Sequence, residues 1–199
     1  MKVLVAGVGN IFLRDDGFGP AVARLLAEEV SGLPGWAPPD VQVQDYGVRG
    51  LHLAYDLLDG VEALVLVDVL PAPPDGSGRA GEIRVLNIRA QDLEASGPVT
   101  PAGIPINPAS NAAFDPHGMD PLAVLRRLLV LGGTLPPTYL VGCIAARTDE
   151  GMGLSEPVSR AVPEAVDAVR TLVTTHVPAA ADRPAGNAGS ASAEPDPAG

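Results

Sequence analysis

The chain has 199 residues but only one cysteine, Cys143. An internal disulfide is excluded, and so is a zinc site built from several thiolates. Basic residues are also scarce: 13 Lys and Arg stand against 24 Asp and Glu, for a formal charge of -11. Nucleic acid and anionic membrane both call for a basic patch, so neither is an expected partner. Long apolar runs are missing too. The first one, Val3 to Val8, is broken by Asn10 and then by Arg14-Asp15-Asp16. It is too short for a signal-peptide core or a membrane span, and a cytoplasmic protein is expected. No His-Glu-x-x-His helix occurs, which removes the thermolysin type of zinc protease. No Gly-x-Ser-x-Gly elbow occurs, and Cys143 falls inside an apolar strand, so a serine or cysteine nucleophile has little support.

Hydrophobic residues make up 46% of the chain, enough for one buried core at this length. Lys2-Val3-Leu4-Val5-Ala6 reads as a buried strand, ended by Gly7-Val8-Gly9-Asn10. Phe18, Val22, Leu25, Leu26 and Val30 follow at helical spacing. Pro20 suits only a first turn, which starts that helix near Asp16 or Gly17. Val41-Gln42-Val43-Gln44 alternates as a second strand. After the turn Asp45 to Gly50, a short helix spans about Leu51 to Leu58. Ala63 to Val67 is apolar on both faces and reads as a central strand, with Asp68 at its end.

Ile83 to Ile88 reads as a further strand, at an edge. About Gln91 to Pro116 reads as a long irregular connection leading to His117. Asp120 and Pro121 open a helix that buries Leu122, Leu125, Leu128 and Leu129. Thr138 to Ile144 is the last strand. Ser155 caps a short helical turn, and a longer helix runs from about Pro163 to Thr175. Residues 178–199, rich in Ala, Pro, Gly and Ser, read as a disordered tail after one domain over 1–177. Alternating strands and helices imply a three-layer α/β/α domain around a twisted, mostly parallel, mixed sheet.

In such sheets, ligands bind beyond the carboxyl ends of the strands. Gly9 to Asp16, Asp45 to Gly50, and Asp68 should therefore converge. Gly7-Val8-Gly9 hints at a dinucleotide fingerprint, but the third glycine is replaced by Phe12. Asp15 and Asp16 have a structural reading as acids at a helix N-terminus. Asp68 must be paired or ligated to offset its desolvation, and the following turn could supply backbone N–H groups. Asp45 has the same two readings. His52 reads as solvated, and His176 as a cation at a helix C-terminus. His117, flanked by Asp115 and Asp120, is either a surface residue or a ligand. Two acids with one histidine suit a divalent transition metal with open positions.

The run Gly7-Val8-Gly9-Asn10-Ile11-Phe12-Leu13-Arg14-Asp15-Asp16-Gly17-Phe18-Gly19 resembles the opening motif of the [NiFe]-hydrogenase maturation proteases. Asp45 to Leu51, Val65 to Asp68, His117 with Leu122 and Leu125, Leu140 to Gly142, and Gly153 to Ser155 match further blocks in order. The resemblance spans about residues 2–175. It implies an endopeptidase that removes the C-terminal extension of a hydrogenase large-subunit precursor. Its metal-contacting positions carry over to Asp16, Asp68 and His117, with Asp16 and Asp68 catalytic and Asp45 and Gly47 in the substrate-binding turn. The nickel is implied to come with the precursor and to be held weakly by the free, monomeric protease. Hydrolysis by an aspartic pair and hydrolysis assisted by the metal both remain open. Two rivals also remain: a nickel-binding chaperone without protease activity on the same scaffold, and a small-molecule hydrolase with a carboxylate pair.

Overall fold

The computed structural model describes residues 2–32, 41–73, 75–94 and 121–175. His117, His176, most of the expected connection from Gln91 to Pro116, and the tail 178–199 lie outside the described residues. Five strands form one sheet: β1 (Val3–Val8), β2 (Val41–Gly47), β3 (Ala63–Leu70), β4 (Ile83–Ile88) and β5 (Thr138–Ile144). Their order is β2-β1-β3-β5-β4. All neighbours run parallel except β4, which pairs antiparallel with β5 at one edge. The described helices are α1 (Phe18–Gly32), α2 (Gly50–Leu58), α3 (Ala90–Glu94), α4 (Pro121–Val130) and α5 (Glu156–Thr175). This is the expected single α/β domain with a mostly parallel, mixed sheet.

Strand periodicity sorts the core into two layers. Val3, Val5, Val65, Val67, Val141 and Cys143 pack with α1 and α5. Leu4, Ala6, Leu64, Leu66 and Leu140 pack with α2 and α4. β1 is apolar throughout and β3 is apolar from Ala63 to Val67, because both of their faces are covered. At Gly19, near its start, α1 meets the sheet backbone with no side chain between them. A Cβ on Gly19 would lie 2.1 Å from the Val8 carbonyl oxygen and 2.3 Å from that of Val67. The start of α1 is thereby pinned over the carboxyl ends of β1 and β3.

Four expectations need correction. β3 does not stop at Val67. It runs to Leu70, where its last residues pair with β5, so Asp68 lies within the strand opposite Gly142. α5 is one helix of 20 residues with Pro163 inside it. Proline removes one backbone donor there, but Val158, Ala161, Ala165, Val166 and Val169 form one buried stripe that carries the helix across it. α3 occupies the start of the stretch read as irregular. Asp92 closes its first turn by accepting the Arg89 N–H at 2.8 Å, and Leu93 is buried. Leu25 of α1 is exposed, so that helix buries a narrower stripe of Phe18, Val22, Ala23 and Leu26.

Candidate functional site

The connection after β1 forms a single 3-10 turn, Arg14–Gly17, which packs against β3 and the start of α1. Gly9 makes this route possible. It has φ 130, and a Cβ there would lie 1.9 Å from the Asp16 carbonyl oxygen. The Gly9 N–H donates to the Gly47 carbonyl at 3.1 Å, joining the connections after β1 and β2. Gly47 itself turns with φ 50. Asp16, half-buried, accepts the Asn10 N–H at 2.7 Å on Oδ2. That bond folds residues 10 to 16 into a closed loop at the carboxyl end of the sheet.

Asp68 is 6% exposed and accepts the N–H of Val69 at 2.7 Å. Its register places it on the α2/α4 face of β3, after Leu64 and Leu66. Asp45 is half-buried and follows Val41 and Val43 on the opposite, α1/α5 register of β2. The structure thus brings the loops of Asp16, Asp45 and Gly47 together at the sheet end that also carries Asp68. His117 lies outside the described residues. Among the described residues, no three His, Cys, Asp or Glu side chains are placed to hold a metal ion.

Asp15 has a role that the capping reading missed. It is fully buried, at 0% exposure. Its carboxylate accepts the N–H groups of Ala146 and Arg147, both at 2.9 Å, and the N–H of Ser155 at 2.6 Å. The Ser155 hydroxyl donates to it at 2.9 Å. Burial alone would raise this carboxyl; the bonds from Ser155, Arg147 and Ala146 outweigh it and hold the group below the usual carboxylate range. Ser155 stands directly before α5, where a cap is expected, and its carbonyl accepts the Ser159 N–H at 2.8 Å, while its hydroxyl serves Asp15. Both motifs stood in the sequence, at Asp15-Asp16-Gly17 and at Gly153-Leu154-Ser155. Their pairing across 140 positions left no periodic signal.

More contacts lace the same two segments together. Leu13 bridges Gly151 in parallel fashion, the Arg14 N–H donates to the Gly151 carbonyl, and the Gly151 N–H donates to that of Phe12. The Arg14 side chain pairs with Asp149 at 2.9 Å. Arg14 is also the one non-glycine residue with positive φ among the described residues, at 48. Large apolar side chains stand exposed on these loops: Phe12 at 61% and Met152 at 70%, with Ile11 and Val48. Cys143 is fully buried, and burial together with the charge of Asp15 pushes its thiol up to about 12. It is no nucleophile in the folded protein.

No family model matches the chain. A curated relative, the coenzyme F420 hydrogenase subunit delta of Methanothermobacter thermautotrophicus, is 27% identical over 173 residues, covering 84% of this chain and 92% of that one. The structure of the hydrogenase maturating endopeptidase HybD from Escherichia coli superposes with a TM-score of 0.61 at 23% identity, covering 85% of this chain and 90% of that one. A hydrogenase 2 maturation peptidase from a Thaumarchaeota archaeon gives a TM-score of 0.55 at 28% identity, covering 85% and 95%. In fold and in sequence alike, this chain resembles the hydrogenase maturation proteases.

Proposed function

We propose that the chain is an endopeptidase that removes the C-terminal extension of a nickel-loaded [NiFe]-hydrogenase large-subunit precursor. The observation that carries this reading is the placement of two carboxylates, Asp16 and Asp68, on separate chain segments at the carboxyl end of one sheet. Each is oriented by a backbone N–H. The likeness to proteins named as hydrogenase maturation peptidases supports the substrate class.

Nickel enters this reading as part of the substrate. Carboxylate and imidazole are ligands that divalent nickel accepts, so Asp16, Asp68 and His117 suit its recognition, with the precursor's own thiolates filling the set. A loose ligand set on the protease makes processing conditional on metal insertion. Two routes to hydrolysis fit this arrangement: the precursor's nickel polarises the scissile carbonyl or the attacking water, or Asp16 and Asp68 share one proton and a carboxylate acts as general base. The Asp16→Asn variant separates these routes. If it still binds the nickel-loaded precursor but does not cut it, Asp16 acts as the base.

The deciding experiment is the intact mass of the precursor after incubation with this protein, with and without nickel loading. The expected result is loss of a C-terminal peptide from the nickel-loaded form only, and no loss with Asp16→Asn or Asp68→Asn. Cleavage of both forms would refute the nickel gate and retain the peptidase. Stable binding without any change of mass would overturn the peptidase in favour of a chaperone.

A further inference from the structure

We infer that Asp15 is the positioning residue of the site, acting through Asp16 from a clasp on the β5–α5 connection. The inference rests on the reading that Asp16 works at the scissile peptide. Three backbone N–H groups and one hydroxyl, all from residues 146 to 155, close on a single buried carboxylate. A carboxylate held by this many donors is fixed in position and orientation. The next residue in the chain is Asp16, inside the same 3-10 turn.

Two adjacent residues of that turn face different tasks. Asp15 is fully buried and turned toward the β5–α5 connection, while Asp16 is half-buried and turned back to the Asn10 N–H. The Leu13–Gly151 bridge and the Arg14–Asp149 pair hold the entrance of the turn to the same connection. The exit is held by the close approach of Gly19 to β1 and β3. Asp16 therefore sits between two fixed points, and the one upstream is built by residues more than 130 positions away. An Asn at position 15 keeps the shape but sets an amide NH2 against donors, which leaves buried N–H groups without an acceptor.

The test uses the full chain with Asp15→Asn and Ser155→Ala, and two readouts. The first is backbone amide exchange. Loss of the clasp is expected to open the Asn10–Asp16 bond, so Asn10 exchange accelerates about tenfold in Asp15→Asn relative to the amides of Val5 and Leu66. A purely structural role would move Asn10 no more than those core amides, and that result overturns the inference. The second is precursor cleavage by the folded fraction, with kcat expected to fall about a hundredfold and KM to stay within about twofold. A fall in folded fraction with unchanged kcat would equally overturn it. If Asp15→Asn does not fold, Ser155→Ala removes one donor of the clasp and is expected to show the same Asn10 pattern at about fivefold. Unchanged Asn10 exchange in that variant is a refutation. If the wild-type protein leaves the precursor uncut, the proposed function fails, while the exchange measurement still decides whether Asp15 holds Asp16.

Discussion

Gly19→Ala separates two physical accounts of the same residue. By helix propensity alone, replacing a glycine in α1 with alanine stabilises the protein by up to about 1 kcal/mol. The packing gives the opposite sign. The new Cβ would stand 2.1 Å from the Val8 carbonyl oxygen, 2.3 Å from that of Val67 and 2.7 Å from the Val8 nitrogen. All three are backbone atoms of β1 and β3, which cannot swing aside as a side chain can. To restore an ordinary contact, α1 must retreat by about 1 Å. That retreat lifts buried Phe18 and Val22 off the sheet. Overpacking of this kind costs about 1–3 kcal/mol, and the separation of Phe18 and Val22 from their neighbours adds to it. After the propensity gain, the net loss is about 2 kcal/mol. With a urea m-value of about 2 kcal/mol/M, the unfolding midpoint should fall by about 1 M. Urea unfolding followed by far-UV circular dichroism reads this directly. A midpoint equal to or above that of the wild type would refute the packing account.

Further consequences can be measured in the same way. The Asp15 carboxyl is depressed in the folded state relative to 3.8, so its contribution is full above that value and is lost as pH falls through the folded value. The gap between the urea midpoints of wild type and Asp15→Asn should therefore narrow below about pH 4, and a gap constant down to pH 2.5 would contradict it. Tyr46→Phe removes the 2.6 Å bond from the buried phenol to Asp56 and should cost about 1–2 kcal/mol by urea unfolding. Phe12→Ser removes an exposed apolar side chain from the loop that leads to Asp16. It should leave the thermal midpoint unchanged and raise KM for the precursor about tenfold; an unchanged KM would show that Phe12 does not touch the precursor.

Much of the scaffold could be read from residue patterns, and the reasons are local. β4 and β5 were expected at Ile83–Ile88 and Thr138–Ile144, and they occupy those residues. β3 was legible because Ala63 to Val67 has no polar residue to place it at a surface. What failed was the handling of residues whose local meaning is overridden at a distance. Pro163 looks like a helix start, but the buried stripe from Val158 to Val173 continues through it. Asp68 looks like a strand end because it is charged, whereas pairing with Gly142 of β5 keeps it in the ladder. At the site, the convergence of the loops after β1 and β2 followed from topology, and the bond from Gly9 to Gly47 bears it out. The division of labour between Asp15 and Asp16 did not follow. Two neighbouring aspartates look alike until the chain from Ala146 to Ser155 is in place around one of them.

The clasp also bears on the order in which the molecule is made. A ribosome releases β1 and the Asp16 turn first, and β1 can pair with β2 and β3 as they emerge. The donors that hold Asp15 belong to residues 146, 147 and 155, in the last third of the sequence. Until they appear, a carboxylate destined for full burial has no partner for its charge, and the turn beside it has no fixed direction. An unfinished chain can thus carry most of the sheet, with Asp16 and Asp68, and still lack an ordered turn at Asp16. Ordering of the turn that carries Asp16 therefore waits on the segment between β5 and α5.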